Sequence, residues 1–366
     1  MKKSTMIFLL ILGVGLIAAG LMMSGGFYPG YGGYATLGTY AADEVAAVRS
    51  ELGELSLQVY ESRDKKALEV SGSGRAVQYV DVRLEGGVLT LRENTPTGFA
   101  RFFSYDRYKD YAVVYVPKAF SGELTLSSGS GGISLSGLRA EELRASLSAG
   151  SGDAETYDCR LGALDVKAGS GRVWVGSSEI GALTVSAGSG DVSLSQTDVS
   201  GETSLAAGSG SMSVSQGEFT ALSLRSGSGY VWVDSAEAGS LTLTTSSGDV
   251  SVGACELGSL RAETDSGSFR AEDLRVGTAA IRTGSGNVRL IDSAIAGAAE
   301  PSAGDPDGSA ALSVETGSGD VTLDSLRADA LRISTASGDI TGSVSGLTGS
   351  PAVETSTASG DVRLEY

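Results

Sequence analysis

Twelve Ser-Gly pairs recur in a regular register along the chain, and an aspartate directly follows six of them: Asp153, Asp191, Asp249, Asp320, Asp339 and Asp361. Carboxylates beside glycine turns are how some β-solenoids hold calcium, an ion that needs several oxygen ligands at once. The other six pairs are followed by Gly132, Arg172, Ser211, Tyr230, Ser268 and Asn287, and Arg or Tyr forbids an ion there. Only Asp320, Asp339 and Asp361 are consecutive, so they are the calcium candidates. The alternative for every aspartate is a corner cap that accepts nearby backbone N–H groups.

Other chemistry finds little to work with. The chain has no His, so acid–base catalysis would fall to paired carboxylates, Tyr or Lys, and Asp158, Glu179 and Asp234 read as single outward residues. Two distant Cys without His supply no metal set. "GSGD" lacks the Lys-Ser/Thr of a nucleotide loop and precedes no helix. We therefore expect no catalytic residues and no cofactor. Aromatic residues are more suggestive. "FARFFSYDRYKDY" crowds Phe99, Arg101, Phe102, Phe103, Tyr105, Arg107, Tyr108, Lys109 and Tyr111 into a chain that is only 6% aromatic. Exposed, this stretch would contact a protein or glycan partner or lie on a membrane; folded down, it would plug the end of a core. Trp174, Tyr230 and Trp232 form a second candidate set, suited to stacking on sugars or partner chains, or to cross-strand packing.

The elements that must position these residues repeat. Taking the Gly of each pair as reference gives Gly131, Gly152, Gly171, Gly190, Gly210, Gly229, Gly248, Gly267, Gly286, Gly319, Gly338 and Gly360, a period near 19 with one interval of 33. Two residues after the reference every side chain is apolar, and three before it every residue is Ala, Ser or Thr. Apolar residues also dominate the positions four after, five before and seven before. Period-two alternation implies two short strands per turn, with the Ser-Gly pair as a corner where glycine tolerates unusual backbone angles. Such strands cannot fold alone, but stacked copies bury continuous apolar columns. The expected fold is an all-β parallel β-solenoid (β-helix) of about twelve turns over residues 128–366, with a loop insertion at 293–311. Cys159 and Cys255 share a column five turns apart, about 24 Å by strand spacing, beyond the roughly 7 Å a disulfide spans. Unpaired thiols are expected. Trp174 and Trp232 share an outward column three turns, about 14 Å, apart.

The amino terminus differs. Met6–Met23 is an uncharged, mostly apolar run of 18 residues behind Lys2 and Lys3, which reads as a transmembrane helix with the bulk of the chain outside. A cleaved signal peptide is the alternative, since Ala18-Ala19-Gly20 offers small residues and cleavage would make the chain secreted. A Gly/Tyr spacer follows over 25–39, then a β-rich cap over 40–127 without the 19-residue register. The formal net charge of −17 argues against nucleic-acid partners. After the last reference Gly only six residues remain and no distinct cap is legible, so the final strands are expected to offer an open edge for self-association.

With its anchor, its "LGELSLQVY", "GVLTLRE" and "YAVVYVPKAF" strands and its serial "SGDV" turns, residues 40–366 resemble the family of bacterial proteins named putative adhesins, β-strand-repeat proteins of unknown function. "GSG" corners replace "STGD" more often than in that pattern. The resemblance implies a fold and supplies no catalytic residues. The combined expectation is a membrane-anchored, non-enzymatic adhesion or interaction scaffold at the cell surface. The alternatives are an envelope sensor of ligands or stress and a carbohydrate-active enzyme.

Overall fold

The computed structural model describes residues 34–62, 66–94, 110–295, 311–347 and 353–366. The apolar segment Met6–Met23 and the candidates Phe99, Arg101, Phe102, Phe103, Tyr105, Arg107 and Tyr108 lie outside these residues. Among the described residues no helix is long and apolar enough to cross a membrane.

One coil shows how the repeat works. After Gly171, Val173 and Val175 point inward, and Ser177 then adopts φ 49°. That left-handed residue turns the chain, so Ser178 and Ile180 point inward along a second face. A further bend at Gly181-Ala182 starts a third face, which buries Leu183, Val185 and Ala187 and leads to the next Ser-Gly corner. Each coil is therefore a triangle with three faces, where the sequence pattern suggested two strands. The missed face contributes its own apolar column: Ile180, Val199, Phe219, Ala238, Leu257, Val276 and Ile295. From Glu123 onward every strand pairing between coils is parallel. The fold is the expected all-β parallel solenoid, with one continuous core.

Length varies mostly at one corner, although the left-handed corner loses one residue opposite Leu323–Leu326 in a late coil. Register shifts fall between Ile180 and Leu183 and between Val199 and Glu202, where the coil following Gly190 fits its extra residue. The interval of 33 opens at the same place, between the strands Ala294–Ile295 and Leu312–Thr316. Of the insertion expected at 293–311, residues 296–310 lie outside the described residues, and Ala294–Ile295 are strand.

The glycine logic differs from expectation. None of the twelve reference glycines has positive φ; the left-handed residues are Asp158, Ser177, Gln196, Gln216, Ser235, Ala254, Asp273, Asp292 and Ser325, six after the reference. What the reference position requires is room. A Cβ on Gly190 would overlap the carbonyl oxygen of Gly171, and the same holds from Gly152 to Gly360. The backbone passes through this corner on its own hydrogen bonds, Gly188 N–H donating to Ala168 O at 2.9 Å and Ser189 N–H to Gly169 O at 3.0 Å. Inside it, later coils add a hydroxyl: Thr264 Oγ1 accepts the Gly267 N–H at 2.9 Å, and Thr335 Oγ1 that of Gly338 at 3.0 Å.

The cap is also partly solenoid. Strands β1 (Ala35–Ala41), β2 (Ala47–Leu52), β3 (Ser56–Glu61) and β4 (Ala67–Ser73) precede a four-residue helix, Ala76–Tyr79, inside the cap read as β-rich. Strands β5 (Val80–Glu85), β6 (Val88–Glu93) and β7 (Tyr111–Val116) follow. β2 and β3 form a coil on top of the first repeat, Leu57 opposite Ile133, and β6 and β7 stack on that coil in turn. Antiparallel strands finish the stack: β5 pairs β6 through a hairpin at Gly86-Gly87, while β4 pairs β7 and β1 pairs β4. β1 begins inside the stretch read as spacer. In the β2–β3 coil the Glu93 carboxylate accepts the N–H groups of Gly53, Glu54 and Leu55 at 2.7, 2.9 and 3.2 Å. One side chain thus satisfies three corner donors, a charge-assisted arrangement stronger than neutral bonds.

Candidate functional site

The outward side of the first face carries the aromatic candidates. Residues three and five after each reference Gly stand on it, in parallel register from coil to coil. Trp174 stacks on Tyr157 of the preceding coil, ring centroids 5.6 Å apart and planes 12° from parallel. Gly176 makes this contact fit, because a Cβ there would sit 2.6 Å from the Trp174 ring. The next two coils present only small hydroxyls at these positions: Ser193, Ser195, Ser213 and Ser215, with Ser213 donating to Ser193 at 3.0 Å. The coil after them brings Tyr230 and Trp232, 46% and 38% exposed. The three named candidates therefore lie on one face, with Tyr157 as a fourth ring that the sequence reading missed.

The aspartates stand one position after the reference Gly and behave as corner caps. Asp320 Oδ1 accepts the Asp339 N–H and Asp339 Oδ1 the Asp361 N–H, each at 2.9 Å. Asp153, Asp191 and Asp249 do the same for Arg172, Ser211 and Ser268. Asp361 pairs with Arg363 at 2.6 Å. Among the described residues no group of three or more acidic or thiol side chains could hold a metal.

A second outward column, eight after the reference, went unread: Glu179, Asp198, Glu218, Glu237 and Glu256 stack in five successive coils. Arginines bracket this ladder, Arg160 on Glu179 at 2.7 Å and Arg275 on Glu256 at 3.0 Å. The Arg160 hydrogen bond holds the Glu179 carboxyl below its ordinary range. Stepping by the repeat length from Glu179 would have found the ladder. Elsewhere, burial pushes Glu155 up despite Arg172 nearby.

Cys159 and Cys255 are free thiols in the inward column just after the left-handed corner. Each donates to the carbonyl two residues back, Cys159 to Tyr157 at 3.3 Å and Cys255 to Gly253 at 3.0 Å. Ser178, Thr197 and Ser293 make the same bond from the same column. The cysteines thus substitute for hydroxyl residues, and burial pushes both thiols up to about 11.

Among curated proteins none matches the chain. Solved structures of similar fold include a putative cell adhesion protein from Clostridium sporogenes, 11% identical, with a TM-score of 0.36, covering 50% of this chain and 99% of that one. A putative lipid binding protein from Parabacteroides distasonis is 13% identical with a TM-score of 0.30, over 92% and 98%. A putative adhesin from Parabacteroides merdae is 12% identical with a TM-score of 0.23, over 92% and 98%. The Toastrack DUF4097 family matches residues 55–233 and again 180–366, so that its two matches run from β3 through the last coil. By that span, and by the stacked corners just described, this chain belongs to the Toastrack DUF4097 family.

Proposed function

We propose that the chain is a non-enzymatic interaction scaffold of the bacterial cell surface, tethered through residues 6–23 with its coils outside the cell. The observation that carries this reading is the exposed aromatic row on the first face. Several charged residues elsewhere pair across coils, as in Arg282–Glu315 at 2.7 Å, Arg289–Asp324 at 2.6 Å and Arg332–Glu354 at 2.8 Å. Such exposed pairs add about 0–1 kcal/mol each and serve mainly to keep an acidic surface solvated. Large rings left in water have no comparable structural purpose, since clustered exposed apolar groups mark contact sites. A rigid stack of coils holds them at fixed spacing.

Protease treatment of intact cells producing the full-length chain tests this. The coils are expected to be digested, and adhesion of those cells to a surface they colonise is expected to fall with them. Coils protected until the cells are lysed would overturn the proposal.

A further inference from the structure

We infer that the first face between Tyr157 and Trp232 is a platform for a neutral oligosaccharide segment. The inference rests on the interaction-scaffold reading and narrows it to one partner chemistry. Among the described residues the exposed large apolar side chains are Tyr34, Tyr157, Tyr230, Trp232, Val362 and Tyr366. Three of these six stand on this face within five successive coils. They form two walls. Tyr157 covers one side of the Trp174 ring from the preceding coil, so the uncovered side turns toward the coil of Ser193 and Ser195. Trp232 and Tyr230 rise three sheet spacings, about 14 Å, further on.

Between the walls lies a floor of hydroxyls, Ser193, Ser195, Ser213 and Ser215. A serine both donates and accepts, and the Ser213–Ser193 bond uses only part of that capacity. Sugars match this surface on both counts. Their C–H faces pack on aromatic rings, and their hydroxyls exchange donors and acceptors with serine. The floor carries no charge in a chain of net −17. The carboxylates stand at its margins, Asp191 accepting the Ser211 N–H at 2.9 Å and Asp234 the Ser235 hydroxyl at 3.0 Å. A basic protein partner would need carboxylates on the floor itself. A neutral partner does not. Charge in the same outward column is confined to the platform's edges, with Glu155 beside Tyr157 in its first coil, paired to Arg172 at 3.6 Å, and Arg270 and Arg289 after its last.

The test uses the purified full-length chain and a panel of neutral oligosaccharides built from glucose, mannose, galactose or N-acetylglucosamine. At least one is expected to bind saturably and to perturb tryptophan fluorescence. Trp174→Ala and Trp232→Ala should each weaken it by about tenfold, Trp232→Phe should restore most of the affinity, and Ser213→Glu should weaken it without removing a ring. All three positions face outward, so the unfolding midpoint of each variant is read alongside. If one variant loses its fold, the remaining ones still decide the case. No binding across the panel, or binding indifferent to these substitutions, overturns the inference. A basic peptide that competes for this face would also overturn it while leaving the scaffold reading intact. Protected coils in the protease experiment would instead remove the scaffold reading.

Discussion

Two of the three corners in each coil solve opposite problems. At the Ser-Gly corner the backbone angles are ordinary and space is short: the carbonyl of Gly171 occupies the place a side chain on Gly190 would need. At the left-handed corner space is ample and the angle is demanding, yet Ser, Asp, Gln and even Ala take φ of 46–58° there. A residue other than Gly held in that region costs of order 1–3 kcal/mol, and a side-chain hydrogen bond from the following residue helps offset it. Conspicuous glycine therefore marks close stacking, and the strained bend is nearly silent in composition.

The contrast can be broken most severely by changing chain length. One Ala inserted after Ser247, within the Ser-Gly corner, should abolish cooperative unfolding of the neighbouring coils, because it displaces the stacked carbonyl and reverses the buried face. The same insertion after Gly258 should shift the urea midpoint by no more than about 1 kcal/mol of stability, since the register already shifts at that corner in another coil. A smaller effect sharpens the inner side of the Ser-Gly corner. Thr264→Val leaves the Gly267 N–H without its acceptor and should cost about 1–3 kcal/mol in the same measurement. Thr203 reverses the sign. Its hydroxyl is buried and finds no hydrogen-bond partner among the described residues, so Thr203→Val should stabilise by about 1 kcal/mol.

The mildest change concerns the thiols behind the left-handed corner. Cys159→Ser and Cys255→Ser keep the bond to the carbonyl and should each alter stability by less than about 1 kcal/mol. In the native chain both should resist iodoacetamide at pH 8 and react after denaturation. Their folded values near 11 exceed the ordinary thiol value of 9.0, so the folded state keeps protons that the unfolded state releases. Stability is thus complete below about 9 and declines as pH rises toward 11. A flat profile across that window would mean that the thiols are not buried.

How far the sequence discloses this depends on what repeats in it. The inward columns around Ser-Gly are legible because every coil stacks on its copy. The column of Ile180 and Val199 is hidden because the left-handed residue shifts the alternation, so counting by twos from Val173 loses step at Ser177. The upper coils are hidden for another reason: Leu57 and Ile133 are spatial neighbours 76 residues apart, and the chain visits these coils out of spatial order. On the surface, residue type was legible and partnership was not. Trp174 and Trp232 stood out, whereas Tyr157 belongs to a different column and reaches Trp174 only because Gly176 leaves the space. The carboxylate ladder escaped because outward positions were read singly.

The most direct test places the same side chain at both corners of one coil. Urea unfolding of Gly190→Ala should show a loss greater than about 3 kcal/mol, since a methyl group must displace the Gly171 carbonyl and its stacked neighbours. Gln196→Ala, six residues on, should change stability by less than about 1 kcal/mol, as Ala254 already occupies the equivalent site. Equal losses at the two positions, or a larger one at Gln196, would contradict the account.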